Sequence, residues 1–194
     1  MVSIDRIKQL REETGVSISE CKNALQEAQE DLEKAKEILR MRGKDLAGKR
    51  IGREVKEGII ESYIHPGGKV GVLVELRCES DFVARSEEFK KLAHELCLQI
   101  AAANPLYLKE EDIPEKLLDG ERKIYQEQVK DSGKPQKIVQ EIIEGKLKKY
   151  KKQVSLFSQP WIKDDMKTVK DLVDEYIAKI GENVVVNSFA RYEI

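Results

Sequence analysis

Val70-Gly71-Val72-Leu73-Val74-Glu75-Leu76-Arg77-Cys78-Glu79-Ser80-Asp81-Phe82-Val83 decides how this chain is read. Val70, Val72, Val74, Leu76 and Cys78 alternate with other residues, the period of a β-strand with one face on a core. The alternation stops at Cys78, and Ser86 then stands where a helix cap is expected. Phe89, Leu92, Ala93, Leu96 and Ile100 follow at helical spacing, and Asn104-Pro105 closes that helix. Asp81 and Phe82 therefore occupy a strand-to-helix corner. Two local readings stay open. Phe82 turns inward beneath the first helical turn while Asp81 offsets the helix dipole, or the pair is presented to a partner.

Working outward, Pro66-Gly67-Gly68 separates two alternating runs, 58–65 and 69–78, which predicts a β-hairpin. Residues 3–43 read as three short helices. Ile4, Ile7 and Leu10 form the first stripe, and Thr14-Gly15 stops it. Ser17 with Glu20 spells a capping box for the second helix, with Ile18, Cys21, Ala24, Leu25 and Ala28 as its apolar positions. Asp31 caps the third helix, whose inward positions are Leu32, Ala35, Ile38 and Leu39 and whose expected stop is Gly43. Residues 44–57 read as a charged linker able to extend a helix.

Beyond the corner, residues 112–153 predict a helical hairpin. Asp112 is its candidate cap, with Pro114 early in the first helix and Leu117, Leu118, Ile124, Tyr125 and Val129 on the apolar side. Ser132-Gly133 breaks it, Pro135 opens the second helix, and Ile138, Val139, Ile142, Ile143, Leu147, Tyr150 and Val154 face inward. Ser158-Gln159-Pro160-Trp161 reads as a loop. Thr168 caps a last helix that Gly181 ends, and a β run spans 184–192. The expected class is α+β. A three-helix module with its linker (1–52) precedes a core (53–194) in which a small antiparallel sheet packs with helices and a helical hairpin.

The chain has 194 residues, enough for one moderate domain with a small one attached. Charged residues make up 37% of it, yet 35 basic and 36 acidic side chains nearly cancel, which argues against nucleic acid as the main partner. Cys21, Cys78 and Cys97 are odd in number, widely spaced and without CxxC, the pattern of buried thiols in a reducing compartment. No apolar run is long enough for a membrane span, and the N-terminus has no signal core, so the expectation is a soluble cytoplasmic protein.

Candidate chemistry is thin. Gly43 to Lys49 matches GxxxxGK, but Arg50 replaces the Mg²⁺-binding hydroxyl and the segment follows a helix instead of a strand. His65 and His94, with Cys78 and Cys97, match no zinc spacing, and a catalytic pair among them requires convergence by folding. Lys146-Leu147-Lys148-Lys149-Tyr150-Lys151-Lys152 is either a phosphate-gripping run or the solvent face of a helix. The expectation is no cofactor, no metal and no enzymatic chemistry.

Two stretches, 10–25 (Leu10-Arg11-Glu12-Glu13-Thr14-Gly15-Val16-Ser17-Ile18 onward) and 75–85 (Glu75-Leu76-Arg77-Cys78-Glu79-Ser80-Asp81-Phe82-Val83-Ala84-Arg85), resemble the signatures of the elongation factor Ts family, in its order and spacing. Gly133-Lys134-Pro135, Gly145 to Tyr150, Gln159-Pro160-Trp161 and Ala178 to Asn183 extend the likeness over nearly the whole chain. Arg77 stands where the family usually has Asn, and Ser80 where it has Thr. Ser80 keeps the capping hydroxyl.

The resemblance implies a guanine-nucleotide exchange factor for the GTPase elongation factor Tu. It implies that Ser80, Asp81, Phe82 and Val83 enter the partner near its Mg²⁺ and phosphates and dislodge the ion. It further implies that the N-terminal module is like a ubiquitin-associated domain and docks through Gly15, Val16, Ser17 and Ile18. Short family members pair as homodimers, giving a 2:2 complex. No cysteine follows Cys97, which excludes a disulfide through the C-terminal strand.

Overall fold

A computed structural model describes residues 2–130 and 132–194. The chain opens with α1 (Ile4–Thr14), α2 (Ile18–Glu27) and α3 (Leu32–Arg50). Gly15 ends α1 in the left-handed region (φ 67°), its N–H donating to the Arg11 carbonyl. The Ser17 hydroxyl accepts from the Glu20 N–H, but only half of the expected capping box forms. The Glu20 carboxylate pairs instead with Arg42 of α3 at 3.2 Å. Asp31 caps α3 by accepting from the N–H groups of Glu33 and Lys34. Leu10, Cys21, Ala24, Leu25, Ala28, Ala35 and Leu39 make a small core of their own.

β1 (Glu57–Ile64) and β2 (Val70–Cys78) form the expected hairpin across Pro66-Gly67-Gly68, with Ile59 opposite Leu76 and Tyr63 opposite Val72. A one-turn helix, α4 (Asp81–Arg85), stands in the corner before α5 (Glu87–Ala103). Ser86 caps α5, and Asn104 closes it with φ 44°. The helical hairpin is α6 (Glu115–Val129) and α7 (Gln136–Val154).

Three details of that hairpin differ from expectation. Asp112 does not cap α6; its carboxylate accepts from the Lys109 N–H in a preceding 3-10 turn. Pro114 and Pro135 sit at the N-cap positions, one residue before each helix. Leu117, Ile124 and Ile138 are exposed, because the contact surface between the helices runs along Tyr125 and Val129 toward Val139, Ile142, Ile143 and Leu147.

The expected loop at 158–161 contains a two-residue strand, β3 (Pro160–Trp161). It pairs with β4 (Asp164–Thr168), a strand too short and too charged to show a period in the sequence. Thr168 and Asp171 form a full capping box on α8 (Val169–Ile180), and Gly181 ends it at φ 90°. β5 (Val184–Glu193) completes the main sheet in the order β1-β2-β5, all antiparallel.

α5 covers one face of this sheet, and α8 packs on α5 to complete the core. Val72, Val74, Leu76, Cys78, Val184 and Val186 meet Phe89, Leu92, Leu96, Ile100, Leu172 and Ile177 there. The other face carries Ile60, Ile64, Leu73, Val185 and Tyr192, all exposed.

Gly43 does not stop α3, which runs on to Arg50. Packing overrides the local glycine signal. Gly43 is buried where α3 lies against α8, and a Cβ there would meet the Ala178 Cβ at 3.4 Å, an ordinary contact distance. Polar contacts hold the extension. Arg40 and Lys44 reach Asp171, and the Arg50 guanidinium donates to the Ile177 carbonyl at 2.8 Å.

Candidate partner-binding site

β2 delivers the chain to the corner, and its register with β5 places Cys78 opposite Val184. Ser80 is still extended (φ −128°, ψ 157°), and its hydroxyl accepts from the Val83 N–H, which starts α4. Ala84 is buried and Val83 packs on the main core. Phe82 points the other way and is 85% exposed. That exposure excludes the reading in which the ring turns inward. Asp81 heads the one-turn helix and pairs with Arg85 at 2.9 Å.

An exposed ring next to a well-packed turn is held by its backbone, and here the backbone is clamped. The Glu182 carboxylate accepts from the Glu79 N–H at 3.1 Å, the Ser80 N–H at 2.9 Å and the Ser80 hydroxyl at 2.6 Å. In return Glu79 accepts from the Asn183 N–H at 2.6 Å, and Asn183 donates its side-chain amide to the Arg53 carbonyl at 2.9 Å. Arg53 itself lies 3.6 Å from Glu79. Glu79, Glu182 and Asn183 lie in stretches that carry the family resemblance, but the sequence gives no sign that they meet each other or Arg53. They meet only because β2 and β5 pair across about a hundred residues.

The second set of candidates, Gly15, Val16, Ser17 and Ile18, forms the α1–α2 turn. Val16 packs on the small N-terminal core, while Ile18 is left exposed. The set does not join the corner directly. Both lean on the end of α8: a Cβ on Gly15 would sit 2.6 Å from the Lys179 Cε, and Ser80 is held by Glu182 just beyond. Lys179 also pairs with Glu88 of α5 at 2.8 Å.

The other chemical candidates do not assemble. Burial pushes the Cys78 thiol up to about 11, with the Glu182 carboxylate adding to it. Burial pushes Cys97 up to about 12, helped by Glu61. Thiols so shifted are not nucleophiles at neutral pH. Tyr63 stands between the two histidines, its hydroxyl 3.0 Å from His65 Nδ1 and its ring edge-on to His94. Among the described residues, no group of three or more His, Cys, Asp or Glu side chains could hold a metal ion. Residues 43–50 are helical, not a phosphate loop. In the basic run Leu147 is buried and Lys146 donates to Gln128 and lies 5.5 Å over the Tyr125 ring, the layout of an amphipathic helix. No described helix is long and apolar enough to cross a membrane.

These observations define an α+β protein whose distinctive surface feature is an apolar ring presented on a clamped corner. Residues 5–194 match the family model for elongation factor Ts. Elongation factor Ts of Thermotoga petrophila is 54% identical over 193 residues, covering 100% of this chain and 96% of that protein. The same factor from Caldanaerobacter subterraneus subsp. tengcongensis is 50% identical with the same coverage, and that from Thermotoga maritima 53%. The chain belongs to the elongation factor Ts family, a family of translation elongation. Membership supports nucleotide exchange on elongation factor Tu as its general role.

Proposed function

We propose that this chain binds elongation factor Tu carrying GDP, dislodges its Mg²⁺ and promotes GDP release, acting through binding alone and without bond chemistry. The observation that carries this reading is the exposure of Phe82 on a corner whose backbone is tied down. Phe82 is the wedge, seated in an apolar pocket of the partner. Asp81 disturbs the water and side-chain network around the partner's metal, and Ser80 and Val83 hold the corner in shape.

An exchange factor must prefer the nucleotide-free partner. By linkage, GDP then weakens the factor's grip by the same ratio. Moving a population from 1:99 to 99:1 needs about 5.5 kcal/mol of differential binding. Burying one phenylalanine supplies only about 1.5–3 kcal/mol. A second contact is therefore required, and the turn Gly15–Ile18 with exposed Ile18 supplies it. In this reading residues 1–52 are the docking module, with a fold like that of ubiquitin-associated domains, and residues 53–194 are the exchange core.

The open sheet face favours a homodimer. Ile60, Ile64, Leu73, Val185 and Tyr192 lie on it with no described helix covering them, and a second copy of the same face buries them, giving a 2:2 complex with the partner.

The test is release of fluorescent GDP from elongation factor Tu. The chain should accelerate it, and Phe82→Ala should lose about tenfold to a hundredfold of that effect. An unchanged exchange rate in Phe82→Ala would sink the role given to the corner.

A further inference from the structure

Phe82 makes its function's geometry without making contacts that could hold it. The ring is exposed, and α4 has only five residues, too few to be stable as an isolated helix. The direction in which the ring leaves the sheet must therefore come from the backbone just before it. That backbone ends in two consecutive N–H groups, of Glu79 and Ser80, at the point where β2 stops. One Glu182 oxygen takes both, and the other takes the Ser80 hydroxyl.

We infer that Glu182 is a positioning residue for Phe82: its carboxylate holds the Glu79–Ser80 backbone and thereby aims the ring. This rests on the exchange reading of the corner. The Ser80 oxygen is used in two directions. It donates its proton to Glu182 while its lone pair accepts from the Val83 N–H, so the clamp and the helix cap share one atom. Bonds to a charged acceptor are the strong kind, and three converge on one carboxylate.

The reciprocal bond from the Asn183 N–H to Glu79 closes the loop between the two chain segments. A corner set in advance in its bound shape loses little conformational freedom when the partner arrives. A corner released from Glu182 must be ordered at the moment of binding, and that cost appears as lost exchange activity.

The experiment is a double-mutant cycle on GDP release, using Glu182→Ala and Phe82→Ala singly and together in the full chain. Glu182→Ala alone should slow stimulated release by about tenfold, the scale of losing charged hydrogen bonds. In the Glu182→Ala background, Phe82→Ala should cost much less than it does in the native chain, because the ring is no longer aimed. Glu182→Gln keeps one acceptor oxygen and should recover part of the loss. It also serves as the milder variant if Glu182→Ala unfolds, with thermal melting measured on each.

Additive losses for the two single variants would overturn the positioning role while leaving the corner's function intact. So would full activity in Glu182→Ala. If Phe82→Ala itself leaves release unchanged, the exchange reading of the corner fails, and the positioning role fails with it.

Discussion

Lys44 and Asp171 lie 2.6 Å apart and join the third helix of the N-terminal module to the first turn of α8. The same carboxylate pairs with Arg40 at 3.0 Å and accepts from the Thr168 N–H and hydroxyl. One side chain thus caps α8 and anchors α3. Burial acts to raise the Asp171 pKa, but the Lys44 ammonium and the Thr168 donors outweigh it and hold the carboxyl well below the usual range.

That depressed pKa predicts acid sensitivity of the anchor. A carboxyl whose folded pKa lies below its unfolded value contributes stability that is present above the unfolded value, about 3.9. The contribution is lost progressively as the pH falls from there through the folded pKa. Urea unfolding at pH 7 should show the native chain more stable than Asp171→Asn, and the gap should shrink at pH 3. A gap independent of pH would show that the charge is not what anchors α3.

Phe82 and Phe89 should respond oppositely to truncation. Phe82 is 85% exposed and Phe89 is 0% exposed in the main core. Phe89→Ala should destabilise the fold by about 3–5 kcal/mol. Phe82→Ala should change it by no more than about 0.5 kcal/mol. Thermal melting of the two variants checks both, and a large loss in Phe82→Ala would mean the ring is packed.

Gly58 tests the hairpin. A Cβ there would collide with the Leu76 carbonyl oxygen, a backbone atom that cannot swing aside. Gly58→Ala should push β1 from β2 and cost about 1–3 kcal/mol in urea unfolding.

The proposed homodimer predicts a mass. The native chain should sediment at twice the mass of Leu73→Lys, which places a charge in the middle of the open sheet face. Leu73 is partly exposed in the single chain, so each folded chain of the variant should keep its helical spectrum. A native chain that sediments as a monomer would remove the proposal.

Much of the fold was legible because the signals act over a few residues. Gly15 and Gly181 end helices through their own backbone conformation, and Asp31, Ser86 and Thr168 cap helices through hydroxyl or carboxylate groups two or three residues from the N–H they accept. The β2 alternation states its buried face residue by residue. The same locality explains the misses. β4 is charged and short, so no period marks it, and Ile124 carries the right spacing while the neighbouring helix lies along a different stripe.

At the candidate site, the strand-to-helix corner brought Asp81 and Phe82 to attention, and the family resemblance added Ser80, Val83 and Gly15 to Ile18. They could not say which way Phe82 points, since both directions satisfy the local pattern. In the fold β5 pairs with β2, Glu182 and Asn183 arrive beside Glu79 and Ser80 from more than a hundred positions away, and Val83 and Ala84 pack against the core while Phe82 is left exposed. The course of α3 past Gly43 was settled in the same way, by the approach of α8. Caps, turns and alternation are written in neighbouring residues because their bonds are local. The aim of an exposed side chain depends on long-range pairing, and that exists only once the chain has folded.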